Sequence, residues 1–395
     1  MPAPESGIRF IRHTGDPRVF RAGWVVKDPW TILENAGVLA ADGKIREVTA
    51  AGAAREPVTD CGPGILMPAL VNAHLHLELS ALKGRLPLGK GFAPWVAALL
   101  RERDSIGTPG LTAAARQAAD LLPDLGTGAV GEVSTLGLTR DLLSSAGTAG
   151  VWFQEFLGTG DPSLVLEKGF PLSFSAAGHA PHTTAPDLLV SLKHRARAVG
   201  LPFSIHAAES DVETAFIAGR AGQWHDFLAA RGIDARTWPV GDKTPVAYLD
   251  DLKVLGPDTL GVHLLQVTDR DLAILAQTRT RICLCPRSNH HLHGRLPDIC
   301  GMLEKNLAPA LGTDSLASCD SLSLFDEMAF VRHHFPGLRP GDILAMVTKN
   351  GADVLGVAPH FGTLDPGRQA VLIYLDPGNL TRANLLEKVV CYGTG

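Results

Sequence analysis

Two histidines one residue apart, His74 and His76 in Asn72-Ala73-His74-Leu75-His76, close an apolar run that begins at Ile65. On a strand, residues i and i+2 face the same way, so the pair can present two imidazoles to one ion. Four more metal-competent side chains follow, each at or just past the end of another apolar run. They are His182 in Ala180-Pro181-His182-Thr183, His206 in Ile205-His206-Ala207-Ala208-Glu209, His263 in Gly261-Val262-His263, and Asp314 in Leu311-Gly312-Thr313-Asp314. Neutral imidazoles with one carboxylate suit Zn²⁺ or Fe²⁺, with a water completing the shell. Such an ion lowers the pKa of its water towards neutrality and so makes a nucleophile. Glu209 stands where its strand turns into a loop. From there it can reach a substrate beside the ion without being a ligand, which is what a proton shuttle needs.

Other residues of chemical type carry less. The tract His290, His291, His293 reads as a solvated loop, and His333 with His334 as part of a helix face. Cys283-Leu284-Cys285 lies within an apolar strand, where alternate packing accounts for it. Neither Gly126-Thr127-Gly128 nor Gly158-Thr159-Gly160 opens a G-x-x-x-x-G-K-[ST] phosphate loop. Ser80 and Ser315 have no nucleophile-elbow context, which speaks against a serine hydrolase. No strand–G-x-G-x-x-G–helix unit can be placed, so a dinucleotide-dependent oxidoreductase fits poorly.

The elements that must position these residues are readable as a pattern. Eight apolar runs, Ile65–His76, Ala129–Thr135, Val151–Leu157, Leu172–Ala177, Leu201–His206, Gly261–Leu265, Arg281–Cys285 and Leu307–Leu311, alternate with amphipathic stretches such as Leu111–Leu122, Pro186–Val199, Asp211–Arg220 and Asp269–Gln277. This is α/β text that satisfies a parallel (β/α)₈ TIM barrel, whose active sites lie at the C-terminal ends of the strands. An open doubly wound sheet can be written from the same pattern. Before Ile65 the chain reads as short strands, with Asp42-Gly43 as a hairpin turn. Gln369 to Leu375 is again strand-like. Residues 1–66 and 357–395 are therefore expected to form one composite small β domain, and 67–356 the barrel.

Composition sets the outer limits. The 395 residues are 45% hydrophobic and 19% charged, enough apolar text for a large core. A net charge of −5 without basic runs excludes binding by phosphate neutralisation, so no nucleic-acid partner is expected. No apolar stretch reaches the roughly 20 residues of a membrane helix. Met1-Pro2-Ala3-Pro4-Glu5 has no signal-peptide pattern, and the 6 scattered cysteines form no disulfide framework. Together these features give the expectation of a cytoplasmic protein without a membrane partner. Homo-oligomer formation is left open.

As a set, Met67-Pro68-Ala69-Leu70-Val71-Asn72-Ala73-His74-Leu75-His76, His206-Ala207-Ala208-Glu209, His263 and Leu311-Gly312-Thr313-Asp314-Ser315 resemble the amidohydrolase superfamily. The resemblance implies a (β/α)₈ barrel with a small β-sandwich domain built from both termini. The His-x-x-Glu after the fifth strand is similar to the single-metal deaminase and chlorohydrolase branch. No lysine follows in or after Leu172–Ala177 to bridge two metals. It further implies one divalent metal per chain held by His74, His76, His206 and Asp314. His263 would orient the hydroxide, Asp314 would also pass protons, and Glu209 would protonate the substrate ring. A finer resemblance, to the aminodeoxyfutalosine deaminases of menaquinone biosynthesis, rests on Asn72 to Glu78, Phe92-Ala93-Pro94-Trp95, Cys285-Pro286-Arg287-Ser288-Asn289, and Thr313 to Ser318 with Ser321 to Glu327. Members of that group often carry an aromatic where this chain has Leu77.

The expectation is a hydrolytic deaminase of an adenine nucleoside, with His182, Glu78 and Arg287 as contacts to purine or ribose. Lys83, Arg85 and Lys90 near Trp95 read as a solvated basic loop, with contact to a benzoate-like 5′ arm as the alternative reading. Competing readings are a deaminase of adenosine, S-adenosylhomocysteine or 5′-methylthioadenosine, a guanine, cytosine or s-triazine hydrolase, and a barrel scaffold without chemistry.

Overall fold

Short apolar runs separated by helix-length segments fold into a parallel sheet, since only a helical crossover returns the chain to the same end of the next strand. A computed structural model describes residues 7–50, 56–87, 89, 91–160, 162–220 and 222–393. The stretch Met1–Glu5 and Lys90 lie outside the described residues. In chain order the strands are β1 (Arg9–Arg12), β2 (Arg18–Asp28), β3 (Thr31–Ala41), β4 (Lys44–Ala50), β5 (Val58–Pro68), β6 (Leu70–Leu75), β7 (Thr127–Ser134), β8 (Ala149–Phe156), β9 (Leu172–Gly178), β10 (Phe203–Ala207), β11 (Thr259–His263), β12 (Arg281–Leu284), β13 (Ala310–Leu311) and β14 (Val371–Leu375).

Strands β6 to β13 form the eight-stranded sheet in sequential order. A parallel bridge between Leu75 and Asp314 closes it, with Asp314 N–H donating to His74 O and His76 N–H to Asp314 O, both at 3.1 Å. The fold is therefore the (β/α)₈ barrel with an additional β domain, not an open sheet. β6 is buried at every position, as a barrel strand covered on both faces must be.

The remaining strands make a six-stranded sheet in the order β1-β14-β5-β2-β3-β4, joining the two ends of the chain. Its core includes Phe20, Val25, Val38, Leu66, Leu372 and Tyr374. The Asp42-Gly43 hairpin forms as expected, with both residues at positive φ (52° and 75°). The run Ile65–His76, expected as one barrel strand, is divided: β5 belongs to the six-stranded sheet and β6 to the barrel.

The chain separates into two compact units, one of residues 1–73, 120–130 and 321–395, the other of 74–119 and 131–320. The first is larger than the expected 1–66 with 357–395. Helices Leu324–His334 and Pro340–Met346 pack on the C-terminal helix Leu385–Val390, which draws the segment before residue 357 into that unit. Among the described residues no helix is long and apolar enough to cross a membrane.

Barrel closure leaves no room at Gly312, where a Cβ would stand 2.6 Å from the carbonyl oxygen of His74 and 2.8 Å from its nitrogen. Gly312→Ala should lower stability by about 1–3 kcal/mol, as overpacking against backbone does. The urea midpoint measures this, and an unchanged midpoint would show that the closure can yield.

Candidate active site

Every metal-competent residue singled out from the sequence lies in the second compact unit, and all but His182 meet at one point. His74 is the fifth residue of β6, and His76 follows the strand's end; their rings lie 4.7 Å apart. β10 brings His206, whose Nε2 stands 3.2 Å from His74 Nε2 and 3.3 Å from His76 Nε2. His206 Nδ1 donates to the carbonyl of His179 at 2.9 Å, which leaves its Nε2 as a lone pair facing the other two rings. Burial, with His74 beside it, holds His76 down at about 3, and burial with the same neighbour holds His206 well below the usual histidine range. His76 and His206 are therefore neutral, as metal ligands must be.

Asp314 completes the group, with Oδ1 at 3.8 Å from His74 Nε2 and 3.7 Å from His76 Nε2. Its Oδ2 accepts from Ser288 Oγ at 2.5 Å and Ser318 Oγ at 2.8 Å, so the other oxygen is aimed at the histidines. Burial opposes ionisation of this carboxyl, but the hydrogen bond from His74 and the nearby His263 and His76 hold it well below the usual carboxylate range. His263 ends β11, and its Nδ1 accepts from the Asn289 amide at 3.2 Å, so its Nε2 carries the ring proton. Ala208, His263, Leu264 and Asp314 all have positive φ (52°, 71°, 44° and 57°). Non-glycine residues reach that region at a cost of about 1–3 kcal/mol each, and such strain gathers at functional sites.

Glu209 Oε1 lies 3.9 Å from His263 Nε2 and 3.4 Å from His293 Nε2. Burial would raise its pKa, but the neighbouring His263 and the hydrogen bond from His293 bring it to about 2. Behind it, Glu213 accepts from the backbone N–H groups of Ala208 (2.7 Å) and Glu209 (2.8 Å), while Ser210 caps the helix Asp211–Ile217. Burial pushes Glu213 up to about 8 against those hydrogen bonds.

Several functional positions were not visible in the sequence. His293, expected in a solvated loop, ends the helix Pro286–His293 with its ring against Phe92 and its Nε2 towards Glu209. Arg287, expected at the substrate, does not line the cavity; it pairs with Asp320 instead, and its neighbours Ser288 and Asn289 are the ones that reach the site. Within that helix the Ser288 and Asn289 side chains reach Asp314 and His263, while Arg287 reaches Asp320. Glu213 could have been found from Ser210-Asp211-Val212-Glu213, the S-x-x-E signature of a helix start. Glu155, at the end of β8, had no local signal.

The group faces a cavity of about 200 Å³ that His76, Glu78, His182, His206, Glu209 and Asp314 help to line. Glu78 accepts from Ser134 Oγ at 2.5 Å and Thr135 N–H at 2.8 Å. Both ring nitrogens of His182 are buried without a protein partner. Lys83 and Arg85 are exposed and line no part of this cavity; the arginines that do are Arg103 and Arg231. A second group, Glu155, His179 and His206, also has metal-ligand spacing. Its Glu155 Oε1 stands 3.6 Å from His206 Nδ1, the nitrogen already committed to the His179 carbonyl.

A closed parallel barrel with convergent imidazoles and a carboxylate at its C-terminal strand ends offers a metal site of the kind hydrolases use. The chain belongs to the amidohydrolase family, whose model matches residues 166–394. It is 32% identical over 317 residues to the aminodeoxyfutalosine deaminase of Deinococcus radiodurans, covering 74% of this chain and 73% of that protein. It is 29% identical over 359 residues to the 5-methylthioadenosine/S-adenosylhomocysteine deaminase of Symbiobacterium thermophilum, covering 80% and 74%. Its fold matches the crystal structure of an adenosine deaminase from Xanthomonas campestris with bound zinc, at a TM-score of 0.79 and 21% identity over 96% of this chain and 90% of that one. The chain is thus an enzyme hydrolysing carbon–nitrogen bonds in cyclic amidines, and adenosine-type nucleoside deamination is the activity these similarities support.

With one lone-pair cluster and the second group's shared nitrogen occupied, the protein purified without added metal should hold about one equivalent of zinc or iron per chain. Elemental analysis checks this, and His206→Ala should lose the metal. Two equivalents would place a second ion at Glu155 and His179.

Proposed function

We propose that this enzyme deaminates 6-amino-6-deoxyfutalosine to futalosine and ammonia, a step of menaquinone biosynthesis. The observation that carries the chemistry is the convergence of His74, His76 and His206 Nε2 atoms with Asp314 on one side and Glu209 on the other. His74, His76, His206 and Asp314 would hold one divalent ion, zinc by the precedent of the Xanthomonas deaminase. When bound, that ion supplies a water of near-neutral pKa as nucleophile.

The protein's own groups manage the two protons of that water. Glu209, ionised in the resting site, takes the first and delivers it to N1 of the purine as the C6–O bond forms. Asp314 takes the second and passes it to the C6 amine, which then leaves as ammonia. The oxygen remains as the C6 carbonyl and N1 keeps its hydrogen. His263, with its proton on Nε2, donates to the oxygen on which charge develops. His182, buried with two unpartnered ring nitrogens, and Glu78 contact the nucleoside.

Glu209→Gln keeps the side chain's size and removes the proton transfer. It should retain metal and lose about 10²–10⁴-fold in kcat. A near-normal kcat would exclude Glu209 as the shuttle.

The substrate is tested by ammonia release from a panel at matched concentration. kcat/KM should be highest for 6-amino-6-deoxyfutalosine, lower for 5′-methylthioadenosine and adenosine, and low for guanine, cytosine and chlorinated triazines. S-adenosylhomocysteine is the competitor that the Symbiobacterium relative makes specific. Equal or greater efficiency on it would replace the substrate and leave the deaminase chemistry standing.

A further inference from the structure

The cavity has two kinds of wall. Its carboxylates, Glu78, Glu155, Glu209 and Asp314, accompany the histidines. Another part of the lining comes from two helical faces. Phe92, Trp95, Val96, Leu99, Leu100 and Arg103 recur at i, i+3, i+4, i+7, i+8 and i+11 along the helix Phe92–Leu121, before its break at Gly107. Trp224, Phe227 and Leu228 of the helix Gly222–Ala229 recur at i, i+3 and i+4, and Arg231 continues the series at i+7. Each apolar face ends in an arginine.

The direction of the first face is set at its start. Phe92 packs on His293 at 5.5 Å between ring centroids, and His293 is the residue beside Glu209. Phe92 therefore marks the catalytic end. At 1.5 Å per residue Arg103 lies about 16 Å further along the helix. On the second face the Arg231 guanidinium sits 3.6 Å over the Phe227 ring, which itself stacks on Trp224. Among the described residues Arg231 pairs with no carboxylate; its hydrogen bond is to the Phe227 carbonyl. Among the described residues the ion pair of Arg103 is with the adjacent Asp104, at 3.4 Å, a carboxylate whose side chain is 73% exposed.

We propose that this half of the cavity receives the 5′ substituent of the nucleoside, that the substituent is aromatic or apolar and ends in an anion, and that Arg103 and Arg231 read that anion. The assignment rests on the deaminase reading above and deepens it. Facing aromatic and aliphatic side chains remove an apolar arm from water. A carboxylate carried to the end of such a slot loses part of its hydration, and the planar fork of a guanidinium replaces it with paired donors. The acids at the other end repel the same anion. Charge along the cavity therefore orients the substrate with its base at the histidines and its anion outward.

The test uses the full-length, metal-loaded enzyme and two nucleosides: 6-amino-6-deoxyfutalosine and the analogue whose ring carboxylate is replaced by hydrogen. Ammonia release gives kcat/KM for each, and calorimetry gives Kd. The wild type should prefer the carboxylate by about 10- to 100-fold, as charge-assisted hydrogen bonds supply. In Arg103→Gln/Arg231→Gln that ratio should collapse towards unity, mostly through KM, and Arg231→Lys should keep part of it. An unchanged ratio in the double variant, or no preference in the wild type, overturns the anion assignment while ammonia release leaves the deaminase reading intact. Arginine-dependent binding of the carboxylate nucleoside without ammonia release would do the reverse, supporting the assignment and removing the deaminase reading.

Discussion

The Nε2 atoms of His74 and His76 stand 3.2 and 3.3 Å from the Nε2 lone pair of His206 in a buried pocket, a convergence that suits one shared cation. The hydrogen bond from His206 Nδ1 to the His179 carbonyl leaves that ring no other tautomer to adopt. Burial keeps His76 and His206 neutral. The arrangement makes sense as a ligand set, and much of the surrounding structure exists to hold it. β6 supplies two of the rings, β10 the third, and the Leu75–Asp314 bridge both closes the barrel and delivers the carboxylate.

The holding is done by residues with no chemical role of their own. Ser288 and Ser318 take up one oxygen of Asp314, so the other is directed at the histidines. Asn289 sets the proton of His263 on the cavity side. Glu213 satisfies the amides of Ala208 and Glu209 where the chain bends through a positive φ. Left-handed backbone at four non-glycine positions is unfavourable locally, and it persists because the strands on either side are fully buried and paired. The cost of each bend is repaid by the convergence it allows.

The proposed function separates chemistry from recognition. The histidines and carboxylates at the cavity sit on or just past strand ends, where the barrel fixes them. Much of the apolar lining comes from the helical stretch after β6 and from the helix Gly222–Ala229. Such segments can vary without disturbing the barrel, which is how one fold serves many substrates. The similarity to deaminases of different nucleosides fits that division.

The sequence by itself was enough for the barrel and for picking out His74, His76, His206, His263 and Asp314, which the structure brings together. His74 and His76 announce themselves because strand period two is a local property, and eight apolar runs at crossover spacing are a local pattern repeated. Cys285-Pro286-Arg287-Ser288-Asn289 was also visible as a segment of interest, but not which of its side chains mattered. That depended on how a proline-started helix is rotated against β11 and β13, so Ser288 and Asn289 face the site and Arg287 faces Asp320. His293 and Glu155 come from distant parts of the chain with no motif around them; only packing brings one to Glu209 and the other to His206. The basic loop at Lys83 and Arg85 was near Trp95 in sequence, yet the arginines at the cavity are Arg103 and Arg231. Local spacing is written in the chain, whereas the direction a side chain takes across a cavity is decided by the tertiary packing of the element that carries it.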